Sequence, residues 1–335
     1  MSSTEKVLIS AVPVTKHRHG RNLFKSDDKK FQEYRARWES QPVNFEAGDF
    51  PLFIDIETTN VCNYKCTFCS TVLIPSEQHG FVDEELVYKV IDEGKENGLY
   101  GIKFNMRGEP LLHKKLVDFI RYARNAGLVD VYFNTNASRL DEKMSVAIIN
   151  SGLTRITFSF EGYTKEYYEK VRVKGNFDQV VENIRRFHNL RESLGSSTPL
   201  IRVSGVLLPE LKEKLSEYIA FWSPFADEVS TNDYIEEDES KHVYRELETD
   251  KHWACNQLWQ RMAMWWDGTL LVCNQDYFAA LSLGNAKDIT IKEAWHSAFH
   301  NDLRQSHRAG NAKEIPKCKT CSFRNQQLGK FLADE

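Results

Sequence analysis

From Pro51 to about Thr231 the apolar residues recur in two alternating registers. Short apolar runs, FPLFIDIE, YGIKFNM, VDVYFNTN, TRITFSFEG, PLIRVSGVLL and ADEVST, predict six strands. Between them, DEELVYKVIDEGKENG, LHKKLVDFIRYARNAG, LDEKMSVAIINSG, FDQVVENIRRFHNLRESLG and PELKEKLSEYIAFW repeat at helical spacing, and the first four stop at a glycine. Strands separated by helices pair in parallel through right-handed crossovers. The fold class is therefore α/β, a partial (β/α)6 TIM-like barrel, in which function gathers at the C-terminal ends of the strands.

The flanks break this rhythm. Residues 1–46 form a polar extension with one helix around Asp27–Trp38 and a solvated charged stretch, KHRHGR. The barrel is expected over 47–235 and a polar, acidic linker over 236–252. Residues 253–335 then predict a small hairpin-plus-helix domain. Its two apolar segments meet at Asp267–Gly268, a strong hairpin signal. A helix follows in TIKEAWHSAFHNDLRQSHRAG, whose His296, His300 and His307 are expected at the surface, and it leads into KCKTC.

Of the 335 residues 41% are hydrophobic and 27% charged, and the net charge is -4 with both signs interspersed. No polyanion-binding surface follows, so nucleic acid is not an expected partner. The N-terminus lacks the apolar core of a signal peptide, and no run of 18 apolar residues occurs, so a cytoplasmic protein without a membrane partner is expected. In that reducing compartment the seven cysteines are expected as metal ligands or redox groups rather than a disulfide framework. They fall into two sets: Cys62, Cys66 and Cys69, then Cys255, Cys273, Cys318 and Cys321.

The first set has the spacing C-x3-C-x2-C directly after the first barrel strand. Three thiolates on a [4Fe–4S] cluster leave one iron without a protein ligand; zinc with a distant fourth ligand is the alternative. This spacing, with Phe68 before the last cysteine, resembles the signature of the radical S-adenosylmethionine (SAM) superfamily. The resemblance implies that SAM binds the open iron and is cleaved to a 5′-deoxyadenosyl radical. MRGEP (Met106–Pro110) is similar to the family's Gly-Gly-Glu-Pro segment, which receives the SAM ammonium group, with Gly108 and Glu109 in place and Arg107 where the first glycine stands. FNTNAS, with Asn134 and Asn136, falls at the family's Thr-Asn-Gly element. SFEG, with Ser159 and Glu161, matches the element facing the ribose, and Arg172 of VRVKGN is implied as a partner of the SAM carboxylate.

The four C-terminal cysteines by themselves suit zinc and an iron–sulfur cluster equally. Their arrangement resembles the shortened SPASM module, or twitch, which implies one auxiliary [4Fe–4S] cluster and two clusters in all. Trp253, Trp259, Trp265 and Trp266 are expected to pack as a shell that keeps this cluster dry. No thiol is spare, which disfavours epimerisation unless Tyr163 or Tyr234 returns the hydrogen. The layout resembles the radical SAM alcohol dehydrogenases of aminocyclitol and sugar metabolism. That implies two-electron oxidation of a secondary alcohol on a carbohydrate-like small molecule, with the second electron taken by the auxiliary cluster. It also implies an external one-electron reductant of flavodoxin or ferredoxin type. Glu57, Arg107, Arg202 and Asp233 are the candidates for assisting deprotonation. The rivals are a peptide- or protein-modifying enzyme, against which the shortness of residues 1–46 counts, and a non-catalytic metal-binding protein.

Overall fold

The computed structural model describes residues 14–18, 26–234, 253 and 255–333; the expected linker lies outside the described residues. All six expected strands form: β2 (Phe53–Ile56), β3 (Gly101–Lys103), β4 (Asp130–Thr135), β5 (Arg155–Ser159), β6 (Leu200–Leu207) and β7 (Glu228–Asp233). They pair in parallel in chain order. The crossover helices are α2 (Glu84–Glu96), α3 (Leu116–Asn125), α4 (Glu142–Ile149), α5 (Lys165–Val171), α6 (Phe177–Ser193), α7 (Pro209–Glu213) and α8 (Leu215–Trp222). Asp83, Asp141, Thr164 and Asn176 accept backbone N–H groups at the starts of α2, α4, α5 and α6, meeting donors that a helix leaves unpaired. The short helix α5 carried no periodic signal long enough to predict.

Two further pieces extend the sheet. Strand β1 (Val14–Arg18) adds antiparallel to β7 at one edge. At the other edge β8 (Arg261–Met264) lies parallel to β2 and continues antiparallel into β9 (Thr269–Leu271) and β10 (Ser282–Asn285), making ten strands in one sheet. The hairpin at Asp267–Gly268 is present, but it is built onto the barrel's first strand rather than onto a core of its own. Helices α9 (Gln257–Gln260), α10 (Ile291–Trp295), α11 (Ala298–Arg308), α12 (Pro316–Lys319) and α13 (Ser322–Ala333) complete the C-terminal part. The single helix expected there is broken because Ser297 caps α11 through the His300 amide.

Alternation within each parallel strand sorts the chemistry. Ile54, Ile56, Val131, Phe133, Ile156 and Phe158 join the helices in the apolar core. The alternate positions carry charge on the other face: Arg155 grips Asp130 with two bonds of 2.9 Å, Arg202 pairs with Glu228 at 2.6 Å, and Arg261 with Asp55 at 3.1 Å. Buried charges persist only when paired in this way.

The N-terminal extension contributes α1 (Lys29–Asn44), longer than the predicted helix, and α1 packs against the sheet. Tyr34 stacks on Tyr100 at 5.5 Å, Trp38 meets Phe53 edge-on at 6.0 Å, and the Arg261 guanidinium lies 4.7 Å from the Trp38 ring. Trp38→Ala is expected to cost about 3–5 kcal/mol through lost burial and a residual cavity. The check is the midpoint of urea unfolding compared with that of an exposed control such as Val43→Ala.

Candidate active site

The cysteine loop follows β2 and is strapped down at both ends. Thr59 and Asn60 bond the loop at 78–80. Further along, the Lys65 and Thr67 amides donate to the carbonyls of Val173 and Val171 at 3.0 Å, in strand fashion. That second strap brings Arg172 over the loop, where its Nη1 stands 3.6 Å from Cys66 Sγ and its guanidinium 5.4 Å from the Phe68 ring. The Tyr64 amide points at Cys62 Sγ at 3.4 Å. Burial pushes the Cys62 thiol up to about 12 and raises Cys66 as well, with Arg172 opposing the shift at Cys66. Thiols so placed ionise readily only when a bound cation compensates, which is the behaviour of a metal-binding donor set.

Beside this loop runs the segment after β3. Gly108 sits at φ +70°, and a Cβ there would come within 2.2 Å of the Thr59 carbonyl, so only glycine lets the two backbones meet. Glu109 is buried and accepts from Leu111 N (3.0 Å), Thr135 Oγ1 (2.7 Å) and Asn136 N (2.8 Å). Burial raises its pKa, and those three bonds oppose the rise. Asn136 donates to Asn63 at 3.0 Å, and the Asn134 amide donates to Asn105. Ser159 ends β5 in register with Ser204. Glu161 and Arg172, expected at different parts of SAM, are ion-paired with each other through two contacts, and Val206 N donates to the same carboxylate at 3.1 Å. Asn63, which accepts from Asn136, and Tyr64, whose amide faces Cys62, lie between two of the loop cysteines, and spacing alone gave them no role.

The candidates for deprotonation separate. Glu57 and Arg107 meet in a buried bidentate pair, with Nε to Oε1 at 2.6 Å and Nη2 to Oε2 at 2.9 Å. The pair binds three parts of the chain together, because Trp266 N also donates to Glu57 and Arg107 Nη1 donates to the Tyr277 carbonyl. The guanidinium lies 3.8 Å from the Trp265 ring. Arg202 sits in the N-terminal half of β6 with Glu228, away from the strand ends that carry the cysteine loop. Asp233 ends β7.

The second cysteine set converges. Cys255, Cys273, Cys318 and Cys321 line one cavity. Among the described residues no group of three or more His, Cys, Asp or Glu side chains is arranged to hold a single metal ion. Burial pushes Cys255 up to about 12 and raises Cys273, Cys318 and Cys321, and the neighbouring thiolates add to the rise at Cys255, Cys273 and Cys318. Four thiols around one cavity suit a fully ligated iron–sulfur cluster.

Two expectations change around this cavity. Among the described residues no tryptophan lines it directly, but the buried Trp259 packs edge-on at 6.2 Å against His307, which does, so part of the expected shell is present. The β8–β9 turn carries Trp265 and Trp266 to the barrel junction instead, where Trp266 packs so closely on Gly80 that a Cβ there would clash. Nor are His300 and His307 surface residues: both are buried with Leu303 and Arg304 along one face of α11. His296 does lie outside that face, where its Nε2 meets the Asp49 carbonyl at 2.9 Å.

A family model of the radical SAM superfamily matches residues 56–205, and one of an iron–sulfur cluster-binding domain, SPASM, matches residues 255–322. A GTP 3′,8-cyclase of Thermodesulfovibrio yellowstonii is 28% identical over 177 residues, covering 51% of this chain and 52% of that protein. The chain thus spans about half the length of the curated relatives it matches. Among solved structures, BtrN in complex with AdoMet and 2-DOIA has a TM-score of 0.54 at 17% identity, covering 81% of this chain and 92% of that one. For anSMEcpe with bound AdoMet and Kp18Cys peptide the TM-score is 0.60 at 13% identity, with 84% and 96% covered. These structural likenesses show the fold.

Proposed function

We propose, from the premise that this chain is a radical SAM enzyme with a C-terminal SPASM iron–sulfur domain, that it oxidises a secondary alcohol to a ketone on a sugar or aminocyclitol-like molecule. The observation that carries the reading is the disposition of sulfur. All seven cysteines of the chain lie in two places, three in the loop after β2 and four around the C-terminal cavity. No thiol remains to return a hydrogen atom, and four protein ligands leave a substrate no vacant iron to bind.

When bound, SAM and the loop cluster supply a 5′-deoxyadenosyl radical that removes one hydrogen atom from carbon, and the auxiliary cluster supplies an acceptor for one electron. Cys62, Cys66 and Cys69 would hold the first cluster and the four later cysteines the second. The chain's own work is positioning, proton transfer and exclusion of water. Glu57, whose carboxylate Arg107 holds at 2.6 and 2.9 Å, and Asp233 at the end of β7 are the groups proposed to take the hydroxyl proton of the substrate. Trp265 and Trp266 cover the Glu57–Arg107 pair on the hairpin side. Glu109, Asn136, Glu161 and Arg172 remain the proposed SAM contacts, joined by Phe68, Gly108, Asn134 and Ser159.

The substrate loses one hydrogen atom, one proton and one electron, so the product is two hydrogens lighter. Among the described residues no helix is long and apolar enough to cross a membrane, and the electron for SAM cleavage is assigned to an external flavodoxin- or ferredoxin-type donor. The likeness to GTP 3′,8-cyclases covers too little of either chain to carry that reaction over.

The test is anaerobic turnover of the reconstituted enzyme with a panel of aminocyclitols and amino sugars deuterated at the carbinol carbon. Deuterium in 5′-deoxyadenosine, matched one to one by ketone, is the expected result. A product of unchanged mass, or deuterium retained in the product, overturns the reading.

A further inference from the structure

Around the C-terminal cavity two polar side chains are buried with nothing to bond. Gln257 is 1% exposed, and neither its amide oxygen nor its amide nitrogen has a partner. His307 is also 1% exposed, and both of its ring nitrogens are unpartnered. Each line the same cavity as the four cysteines. A buried amide or imidazole left without a hydrogen bond costs far more than one exposed to water, so the N–H groups of these two side chains call for a common acceptor.

Both side chains are held in place. Gln257 opens α9 two residues after Cys255, and its backbone amide bonds that thiol. His307 comes from the last turn of α11, and its ring meets Trp259 edge-on at 6.2 Å. Leu258, Val272, Leu281 and Phe323 add apolar wall that offers no hydrogen bond, and the Gln275 amide that also lines it already donates to Asn274 at 3.0 Å. Lys317 and Arg324 line it as well, so the cavity is cationic at one side.

We infer that Gln257 and His307 donate N–H groups to the sulfurs of the cluster held by Cys255, Cys273, Cys318 and Cys321, and so make it a better electron acceptor than its four thiolates alone would. Hydrogen bonds to cluster and ligand sulfur stabilise the reduced state, which carries one more negative charge than the oxidised one. One electron enters, no bond to the chain breaks, and the two donors strengthen as charge builds on sulfur. The inference rests on the cluster-binding role of the four cysteines and not on the dehydrogenase reading. It does give that reading an acceptor tuned toward taking an electron.

The test is an anaerobic redox titration followed by electron paramagnetic resonance on the full chain carrying Cys62→Ala, Cys66→Ala and Cys69→Ala, so that one cluster gives the signal. Gln257→Leu and His307→Phe are each expected to move the midpoint to more negative potential. At a fixed ambient potential the ratio of oxidised to reduced cluster rises about fivefold per donor, the worth of one net hydrogen bond. The double variant adds the two shifts, and His307→Gln, which keeps an N–H, stays near the parent. Unchanged midpoints with full iron content overturn the inference. So does loss of iron from either single variant, which would make the residue a ligand or a packing element instead.

Discussion

Replacing Cys62, Cys66 and Cys69 together by alanine is expected to abolish 5′-deoxyadenosine formation and to lower bound iron from about eight to about four per chain. The reason is local. The three thiols lie in a loop strapped to 78–80 at one end and to 171–173 at the other, so the chain around them stays in place when the sulfur is lost. What disappears is a donor set whose ionisation burial opposes and a metal would reward. The reciprocal replacement of Cys255, Cys273, Cys318 and Cys321 is expected to remove the other four irons. It should leave SAM cleavage measurable while ketone formation fails, because the second electron then lacks its acceptor. Iron analysis and chromatographic assay of 5′-deoxyadenosine separate the two outcomes. If the first variant keeps all its iron and still cleaves SAM, the assignment of the loop is wrong.

The second large effect belongs to Glu57 and Arg107. Each is buried, with Glu57 fully so, and removing either partner leaves the other charge without compensation. Glu57→Gln and Arg107→Met should each destabilise the chain by about 3–5 kcal/mol, while the double substitution recovers much of that loss. Arg107→Met also forfeits the contact with Trp265 and the bond to the Tyr277 carbonyl, so its recovery is the less complete of the two. Chemistry supplies a separate readout. If the carboxylate takes the substrate proton, Glu57→Gln at temperatures where the fold is intact lowers ketone formation by at least about 100-fold. In the same reaction 5′-deoxyadenosine continues to form, uncoupled from product. A purely structural pair would depress both in parallel.

Arg107 also illustrates how a local motif and a tertiary contact can carry different information. MRGEP reads as the proposed SAM-binding segment through Gly108 and Glu109, and the positive φ of Gly108 gives the glycine its reason. Nothing in the motif says why an arginine precedes it. The answer lies 50 residues upstream, at Glu57, and in a hairpin more than 150 residues downstream. Arg202 shows the converse: it sits on an expected strand, yet its height on that strand pairs it with Glu228 rather than with the loops.

The linear chain by itself determined the six barrel strands, the main crossover helices, the hairpin turn and the division of the cysteines into three and four. All of these are written in short-range period or spacing, which a segment carries wherever it is placed. Only the folded molecule decided that β8 adds to the free edge of β2, that α1 packs against the sheet through Trp38, and that His300 and His307 turn inward. A sheet edge accepts whichever strand packing brings to it, and a polar residue on an amphipathic helix is buried or exposed according to what the neighbouring elements cover. Those outcomes depend on partners far away in the chain, so no local pattern could announce them.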